Sequence, residues 1–435
     1  MTRKMIIVPR GTHTDGPYRS AVDGDRILIP RVGLTPFTVA GQKAVGAGGV
    51  GYCSDGDAGA RTGCCHDGTI WRKFALGSEI SPIPPAKIFV ATDGDAFHAL
   101  TSMGGLTQDF KSTQPPGAAA GAIGFYAMWM SPDHQTVWLG GLEDHVDINL
   151  ANTFWRSLDG GATWTNMTSA HPYGSYGYVY SIFGFDADNL WACGDVWNTS
   201  ASIVMKWNTG TSVWNTVYNY GAGVRQVNCL WGRAVNEMYC VTFNGGVSCL
   251  LRETGGGWTA EAGGAGSLNT VINTGHTGKP VTIVGDATHL YVWTYTVPAG
   301  VVYEVYRGTF NGTDWAVEAK SWASTSRFDP LKGRNIGCDE TGAIWLSMSN
   351  VANVIEVHRR DPGTGVWALH GGPFTDASSN NCANLVVIDS SNVFVFGGSS
   401  ICVWNGTTWT ETLTADIVGF ADANFLRASF GYIPA

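Results

Sequence analysis

The densest group of chemically active side chains in the sequence lies between residues 143 and 147. Glu143, Asp144 and Asp147 supply carboxylates there, with His145 between them. Glycoside hydrolysis requires two carboxylates about 5–9.5 Å apart, and carboxylates one or two residues apart can also share one Ca²⁺ ion. Because these residues follow one another in a single loop, the preferred interpretation is a solvated acidic loop, with a Ca²⁺ site as the alternative.

The residue spacings that mark other catalytic and cofactor sites do not occur in the sequence. There is no His-x-x-x-His pair, no Gly-x-Ser-x-Gly elbow, no phosphate-binding loop and no dinucleotide fingerprint. The histidines are scattered, and His134, His145 and His171 lie in loop-like contexts. The sequence therefore predicts no catalytic residue, no cofactor and no metal site, and it favours a protein that is not an enzyme.

One loop carries side chains suited to recognition. Tyr173, Tyr176 and Tyr178 are separated by glycine and serine. Tyrosines in such a setting provide rigid aromatic faces among adaptable neighbours, as binding loops for carbohydrates or proteins do. The alternative interpretation is a glycine-hinged entry into the strand predicted at residues 178–185.

The sequence contains ten cysteines and no Cys-x-x-Cys pair, so the spacing does not support a zinc site. Most of them lie in apolar, strand-like runs, which favours buried free thiols. The alternative is a disulfide, and a hairpin could join Cys53 to Cys64 or Cys65. The adjacent pair, Cys64 and Cys65, would form a strained ring.

The elements that must position these side chains are predicted from composition. The chain of 435 residues has 58 glycines and 18 tryptophans, and only 14% of its residues are charged, against about 25% in an average soluble protein. This composition excludes a disordered chain and a helical bundle, and it favours many short strands joined by glycine-rich turns. The net charge of −9 and the absence of a basic cluster exclude an electrostatic footprint for nucleic acid.

Six segments of the sequence repeat a tight turn that ends in tryptophan. The tryptophans are Trp164, Trp214, Trp258, Trp315, Trp367 and Trp409. Their spacing of 42 to 57 residues has a mean of 49, which is the size of one four-stranded propeller blade. Within each period, the apolar runs predict four strands, and no apolar pattern of helical period persists. The sequence thus predicts an all-β fold with a β-propeller.

The two ends of the repeat region predict how the ring closes. Residues 417–420 and 425–430 look like the first two strands of a further blade, and residues 87–92, 96–101 and 106–111 look like strands without a complete partner set. We expect these segments to share one blade, which makes about seven blades. Six to eight are possible, because Asp67 to Trp71 also fits the turn motif.

Residues 1–85 lack the period, and the proline-rich segment 81–85 predicts a stiff linker. We therefore expect a small β-rich module at 1–85 and the propeller at 86–435. The apolar stretch at residues 5–8 is too short for a signal peptide, and no run approaches the roughly 20 apolar residues of a membrane span. The expectation is a chain made in a cytoplasm without a leader.

The segment from Ser157 to Trp164 resembles the Asp-box repeats of sialidases and related propellers, matching at Ser157, Asp159, Gly161, Thr163 and Trp164. In that family the box is a structural hairpin on the rim, so the resemblance implies the fold and not hydrolysis. A sialidase would also need an arginine cluster, a Tyr/Glu nucleophile pair and an acidic Asp. The sequence that comes nearest to the arginine motif of sialidases is residues 25–30, and it lies before the linker.

Residues 51–81 are similar to a segment common in tailed-phage fibre and capsid-fibre proteins. The similarity rests on a strand ending in Ser-Asp-Gly, an Asp-Gly-Thr-x-Trp turn and a closing Leu-Gly-x-x-Ile-Ser. The family version rarely has three cysteines, which leaves the roles of Cys53, Cys64 and Cys65 open. The resemblance implies a virion location, and a module that attaches to the particle or forms oligomers.

The expected function is therefore that of a structural or adhesive virion protein, with other virion proteins and host-surface glycans as partners. Two alternatives are a glycan-active propeller with hydrolase or lyase chemistry in its central pocket and a bacterial lectin-like propeller. An enzyme should show acids or arginines converging at the inner strand ends, and the repeats show none in register.

Overall fold

In the computed structural model of the protein, the chain divides into two compact units, Met1–Pro85 and Ala86–Ala435. The boundary lies at the proline-rich segment. The structure describes residues 18–19, 26–27, 49–53, 62–66, 71–74, 87–92, 97–102, 106–112, 124–142, 154–173, 177–196, 201–222, 227–244, 247–254, 257–260, 279–286, 288–296, 302–310, 315–317, 322–324, 335–349, 354–375, 384–397, 400–417 and 426–432.

The first unit consists, in its described part, of short strands. They are β1 Tyr18–Arg19, β2 Arg26–Ile27, β3 Gly49–Cys53, β4 Thr62–His66 and β5 Trp71–Phe74. β1 pairs with β2, and β3, β4 and β5 form an antiparallel sheet. Trp71 opens β5, so this copy of the turn motif belongs to the first unit and adds no blade to the ring. The attachment role of the unit stays a prediction.

The second unit is built from consecutive antiparallel sheets. Its strands are β6 Lys87–Thr92, β7 Phe97–Ser102, β8 Leu106–Ser112; β9 Gly124–Met130, β10 Val137–Leu142, β11 Phe154–Ser157, β12 Thr165–Asn166; β13 Ser181–Gly184, β14 Leu190–Val196, β15 Ala201–Asn208, β16 Val213–Ala222; β17 Val227–Ala234, β18 Glu237–Asn244, β19 Val247–Glu253, β20 Trp258–Ala260; β21 Lys279–Gly285, β22 His289–Thr296, β23 Val302–Phe310, β24 Trp315–Val317, β25 Trp322–Ser324; β26 Ile336–Cys338, β27 Ile344–Ser349, β28 Val354–Arg360, β29 Trp367–Thr375; β30 Asn384–Asp389, β31 Asn392–Phe396, β32 Ser400–Trp404, β33 Trp409–Leu413; and β34 Leu426–Tyr432. Short 3-10 turns cover Thr168–Ala170 and Thr414–Asp416.

These strands form a closed β-propeller, which confirms the predicted fold. Six sheets have four strands, and the sheet that begins at β21 has five because β25 also pairs with β23. The innermost strands, β34, β9, β13, β17, β21, β26 and β30, contact one another in that order, and β30 contacts β34. We number the sheets as blades 1 to 7, starting from the one that contains β6.

Blade 1 is shared between the two ends of the ring, as the sequence predicts. Its strand order is β34, β6, β7, β8, so the C-terminal strand is innermost and the earlier strands complete the sheet. The strand expected at residues 417–420 does not begin at Ile417, which follows a 3-10 turn. Residues 418–420 lie outside the described part of the chain.

The core consists of buried clusters between neighbouring blades, one at each of the seven interfaces. Successive residues of a strand face opposite sides of its sheet, so a strand inside a blade contributes to two clusters. In β31, Val393 and Val395 join the cluster with blade 6, whereas Phe394 and Phe396 join the cluster with blade 1. This explains why the blade strands are continuous apolar runs.

Five of the six repeated tryptophans occupy equivalent places; the side chain of the sixth, Trp315, lies outside the described residues. Trp214 and Trp258 are buried in the clusters that their blades share with the preceding blades. Trp164, Trp367 and Trp409 pack against the corresponding clusters. The tight turn before each of these tryptophans therefore places one large side chain at the interface with the preceding blade. Because such a contact holds a blade to its predecessor, the turn-plus-tryptophan segment recurs once in each of blades 2 to 7.

The antiparallel order gives the ring two different ends. The turns between the first and second strands of each blade and between the third and fourth lie at one end, which we call the turn end. The connections between the second and third strands and between successive blades lie at the other, which we call the loop end.

Candidate binding site at the loop end

Buried polar side chains mark the loop end of the ring. They lie where strands of blades 3, 6 and 7 start or finish at that end, and they are Ser181, Asp195, Ser202, Asn335, Ser347, Asn384 and Ser400. A buried polar group is costly unless it is hydrogen-bonded, so these positions are places where polar contacts have been built into the loop end.

In blade 3, these side chains form a network around Asp195. Asp195 of β14 and Ser202 of β15 are register partners, and the Ser202 hydroxyl donates to Asp195 Oδ1 at 2.7 Å. The Tyr180 hydroxyl donates to Asp195 Oδ2 at 3.4 Å. Both carboxylate oxygens are thus accepting, and Asp195 is only 7% exposed.

The segment before β13 is fastened to β14 by its backbone. Tyr178 N–H donates to Asp195 O at 2.7 Å, and Tyr180 N–H donates to Cys193 O at 2.9 Å. Val179 N–H donates to Gly141 O of blade 2 at 3.1 Å. These bonds extend the inner strand toward the loop end and hold the side chains of Tyr178 and Tyr180 beside Asp195.

Three tyrosine rings meet at this place. The rings of Tyr178 and Tyr180 are stacked with centroids 6.3 Å apart, and Tyr126 of β9 meets Tyr180 edge to face at 6.2 Å. Tyr178 is buried, whereas Tyr126 and Tyr180 are half-buried. The cluster therefore joins the inner strands of blades 2 and 3 and leaves part of two aromatic rings accessible.

Burial, together with the Asp195 carboxylate, raises the pKa of Tyr180 far above its ordinary value. The phenol consequently stays protonated and acts as a hydrogen-bond donor, not as a nucleophile. An aromatic face next to hydroxyl donors and a carboxylate acceptor can hold a ligand that has one apolar face and a rim of hydroxyl groups.

The structure describes two of the three tyrosines of the predicted binding loop, Tyr173 and Tyr178, and places them in different surroundings. Tyr173 packs against blade 3, and its hydroxyl oxygen accepts a hydrogen bond from Asn219 Nδ2 of β16 at 3.2 Å. Tyr178 lies in the cluster near the inner strands, although it is buried. Tyr176 lies outside the described residues. Of the two described tyrosines, Tyr178 is the one that lies near Asp195.

His171 is buried beneath the same loop. Its side chain packs against Phe154 and Tyr173 at ring distances of 5.7 and 6.2 Å, and Nδ1 accepts from Tyr173 N–H at 3.1 Å. Nε2 has no hydrogen-bond partner. Burial lowers the pKa of His171 to about 3, so the imidazole is neutral over the physiological range.

The residues that match the Asp-box pattern lie at the turn end, between β11 and β12. Ser157 Oγ accepts from Gly161 N–H at 2.8 Å, and Asp159 accepts from the N–H and hydroxyl of Thr163 at 2.8 and 2.6 Å. Trp164 meets Phe97 of blade 1 at 5.2 Å. These contacts close a hairpin and fix it to the preceding blade.

The acidic loop lies beyond what the structure describes, since Glu143, Asp144, His145 and Asp147 are outside the described residues. Within the described part of the chain, no group of three or more His, Cys, Asp and Glu side chains could hold a metal ion.

The predicted disulfide falls in the first unit. The backbone register pairs Cys53 with Thr62 and Cys64 with Gly51, so neither Cys64 nor Cys65 stands directly opposite Cys53. The disulfide stays a prediction. Cys193, Cys229, Cys240, Cys338 and Cys402 are in no disulfide.

We call Tyr126, Tyr178, Tyr180, Asp195 and Ser202 the loop-end cluster. Sequence reasoning missed Tyr126, Asp195 and Ser202, and it noted Tyr180 only as the last tyrosine of the tyrosine-rich stretch. One signal was present, because Asp195 is a carboxylate inside the apolar run of β14, where an acid needs a partner. Tyr126 carried no such signal, since only the closure of blade 2 against blade 3 brings it to Tyr180.

No protein-family model matches the sequence, and no curated protein matches it. Among solved structures, a proposed 6-phosphogluconolactonase from Bacteroides uniformis is similar with a TM-score of 0.50 and 9% identity, over 76% of this chain and 95% of that one. A puromycin-hydrolyzing peptidase from Mycobacterium tuberculosis has a TM-score of 0.49 and 13% identity, over 78% of this chain and 55% of that one. The SapL1 lectin in complex with alpha methyl fucoside has a TM-score of 0.42 and 13% identity, over 67% of this chain and 93% of that one.

At these identities the similarity concerns the propeller fold alone. It nevertheless corrects one expectation. The absence of familiar motifs led to the prediction that the chain is not an enzyme, and that prediction is wrong as an inference, because the same fold occurs in a proposed 6-phosphogluconolactonase. Missing motifs do not exclude catalysis on this fold.

The tailed-phage assignment, the homo-oligomer and the virion location stay predictions. None of the helices in the described part of the chain has the length and apolarity that a membrane crossing requires.

Proposed function

We propose that the chain is a glycan-active propeller that binds a sugar residue at the loop end, on the tyrosine cluster of blades 2 and 3. The single observation that carries this proposal is the contact of the half-buried Tyr180 with the hydrogen-bonded Asp195 carboxylate, next to the ring of Tyr126. A sugar ring has an apolar face that stacks on an aromatic ring and hydroxyl groups that donate to a carboxylate.

The proposed geometry gives each residue a separate task. Tyr126 and Tyr180 present the stacking surface, and Asp195 accepts hydrogen bonds from sugar hydroxyls through the part that stays exposed. Ser202 and Tyr180 orient the carboxylate, because each donates to one of its oxygens. A site whose polar groups are already held in place binds with little loss of side-chain entropy.

The test is a glycan array probed with the full chain, followed by calorimetric titration of the best glycan. Replacing Tyr180 with Leu removes the aromatic face and the hydroxyl, and we expect at least about tenfold weaker binding. The matched control is Tyr218→Leu on β16, which is also half-buried in blade 3 and should bind within about twofold of the wild type.

The same titration mixture is assayed for released reducing ends, which reports hydrolysis directly. Circular dichroism and thermal melting of both variants establish that each is folded. Equal binding by the folded Tyr180→Leu variant and the wild type, or no binding to any glycan on the array, would overturn the proposal.

A further inference from the structure

A buried arginine without an ion-pair partner lies at the turn end of the ring, between blades 5 and 6. Arg360, the last residue of β28, is only 6% exposed, and its guanidinium lies 6.0 Å from the centre of the Tyr291 ring of blade 5. In the described part of the chain, no carboxylate lies within ion-pair distance of this guanidinium, and its enclosed Nε atom has no hydrogen-bond partner. Burying a charge is costly unless the charge is paired, so an anion beside Arg360 would stabilise the folded chain.

The carboxylates nearest to this arginine are used by their own turns. Asp361 accepts three hydrogen bonds inside the turn that follows Arg360, at 2.8 to 3.0 Å. Asp286 of blade 5 accepts from two backbone N–H groups of its own turn at 2.7 Å. These bonds hold both carboxylates at the turns, and neither carboxylate forms an ion pair with Arg360.

A second arginine approaches the same tyrosine. Arg307 of β23 is the register partner of Tyr291 and donates a hydrogen bond to its hydroxyl. Two guanidiniums from neighbouring blades therefore flank one ring. Gly365 leaves space beside Arg360, because a Cβ atom there would lie 2.9 Å from Arg360 Nη2. A guanidinium presents a planar fork of N–H donors that matches the oxygens of a phosphate or carboxylate group.

Blade 4 shows how the chain itself completes a similar arrangement. Tyr239 and Arg252 are the corresponding register partners there, and Arg233 is the second arginine. Glu237 accepts from the tyrosine hydroxyl at 2.6 Å and from the two guanidiniums at 3.0 and 2.8 Å. Blade 5 has His289 at the equivalent position, two residues before its tyrosine, so that position supplies no carboxylate to the arginines.

We infer that Arg360 and Arg307 form a binding site for a small oxyanion, a phosphate or carboxylate group, at the turn end between blades 5 and 6. The oxyanion contacts the Nη groups of Arg360 and takes the part that Glu237 has in blade 4. This site lies at the end of the ring opposite the loop-end cluster, so it is independent of the proposed glycan site.

The experiment is a calorimetric titration of the full chain with inorganic phosphate and, separately, with acetate, at an ionic strength held constant with chloride. The two probes distinguish a tetrahedral from a planar oxyanion, and we expect at least one of them to bind. Arg360→Met keeps a long side chain and removes the charge, so the anion should bind at least about tenfold more weakly. Added anion should raise the thermal unfolding midpoint of the wild type and leave that of Arg360→Met unchanged.

Two further variants complete the test. Arg156→Met in blade 2 is the matched control, because Arg156 is a half-buried arginine at the turn end that also lies over an aromatic ring. It should bind the anion within about twofold of the wild type. His289→Glu supplies a carboxylate where blade 4 has one and keeps both arginines, so it should weaken anion binding at least about tenfold. This variant tests the site even if Arg360→Met fails to fold.

Three results would overturn the inference. The first is that neither anion binds to the folded wild type. The second is that a folded Arg360→Met or His289→Glu variant binds the anion as tightly as the wild type. The third is that Arg156→Met loses as much affinity as Arg360→Met. None of these results bears on the glycan site, which the array and the Tyr180→Leu variant test separately.

Discussion

Burial decides the chemistry of individual side chains at the loop end. Tyr180 stays protonated beside a buried carboxylate, and His171 stays neutral because its ring is enclosed by Phe154, Tyr173 and Gly177. A Cβ atom placed on Gly177 would lie 2.1 Å from the His171 ring. Only glycine fits at this position, so the imidazole and the backbone that leads to Tyr178 are tightly coupled.

His171 should make the stability of the ring depend on pH. Its folded pKa of about 3 lies below the ordinary value of 6.5, so the unfolded chain takes up the proton first as the pH falls. The free energy of unfolding is therefore unaffected by His171 above pH 6.5 and falls progressively toward pH 3, by roughly 5 kcal/mol in all. His171→Asn can keep an acceptor for Tyr173 N–H but does not titrate.

Urea unfolding of both proteins between neutral and acidic pH measures this difference. We expect the wild type to lose stability more steeply than His171→Asn below pH 6.5. Tyr173→Phe serves as the control, because it removes a neighbouring hydroxyl and leaves the imidazole in place. Parallel pH profiles for the wild type and His171→Asn would contradict the prediction.

Hairpins and cross-strand pairs are the units that repeat from blade to blade. In four blades, an aromatic residue near the start of the second strand lies under a cation from its register partner in the third. The pairs are Trp138 with Arg156, Trp191 with Lys206, Tyr239 with Arg252 and Trp345 with Arg359, at 4.7 to 5.7 Å from cation to ring centroid. Such pairs stabilise each sheet by about 0.5–2 kcal/mol.

The hairpin at Ser157 to Trp164 offers a test of how turns are fixed to neighbouring blades. Gly161 has φ +97°, and a Cβ atom there would lie 2.4 Å from the Phe97 ring of blade 1. Gly161→Ala therefore adds a clash to the strain of a left-handed backbone, and we expect a loss of about 2–4 kcal/mol in the free energy of unfolding.

Gly257→Ala is the matched control, because Gly257 has φ +116° and nothing lies within 4 Å of its added Cβ. That variant carries the backbone strain alone and should lose about 1–2 kcal/mol. Denaturant unfolding of the two variants gives the difference. Equal losses would show that the Asp-box-like hairpin is not coupled to Phe97.

At the scale of the whole molecule, the ring is held closed by β34. This strand pairs with β6 and also contacts β9 and β30, the innermost strands on either side. Without β34, blade 1 would expose the edge of β6. The apolar clusters that blade 1 shares with blades 2 and 7 would then open to water. Closure therefore joins residues far apart in the sequence into one cooperative unit.

Deleting residues 426–435 should consequently destabilise the entire ring. We expect the midpoint of thermal unfolding to fall by more than about 10 °C, with a broader transition and increased self-association. The control is deletion of residues 1–17, which lie in the first unit and leave every blade strand present. Differential scanning calorimetry with light scattering makes the comparison, and unchanged unfolding after the C-terminal deletion would refute the closing role of β34.

Much of the fold follows from the sequence alone. Each turn-plus-tryptophan segment is a local hairpin whose tryptophan covers a blade interface. The spacing of these segments therefore predicts the size of a blade, and their number predicts the number of repeats. The apolar runs predict four strands in each period, and the strands without partners at both ends predict the shared blade. Each of these features depends on neighbours close in sequence, apart from the closure.

The candidate site is different, because its members come from separate elements. Tyr126 and Tyr180 meet only when blades 2 and 3 pack, and Asp195 meets Ser202 only through the register of β14 with β15. The tyrosine-rich loop can be recognised in the sequence. That Tyr178 is buried and that Tyr173 packs against β16 depends on how the blades pack together. Local spacing determines strands and turns, whereas proximity across blades and exclusion of water arise only in the tertiary structure.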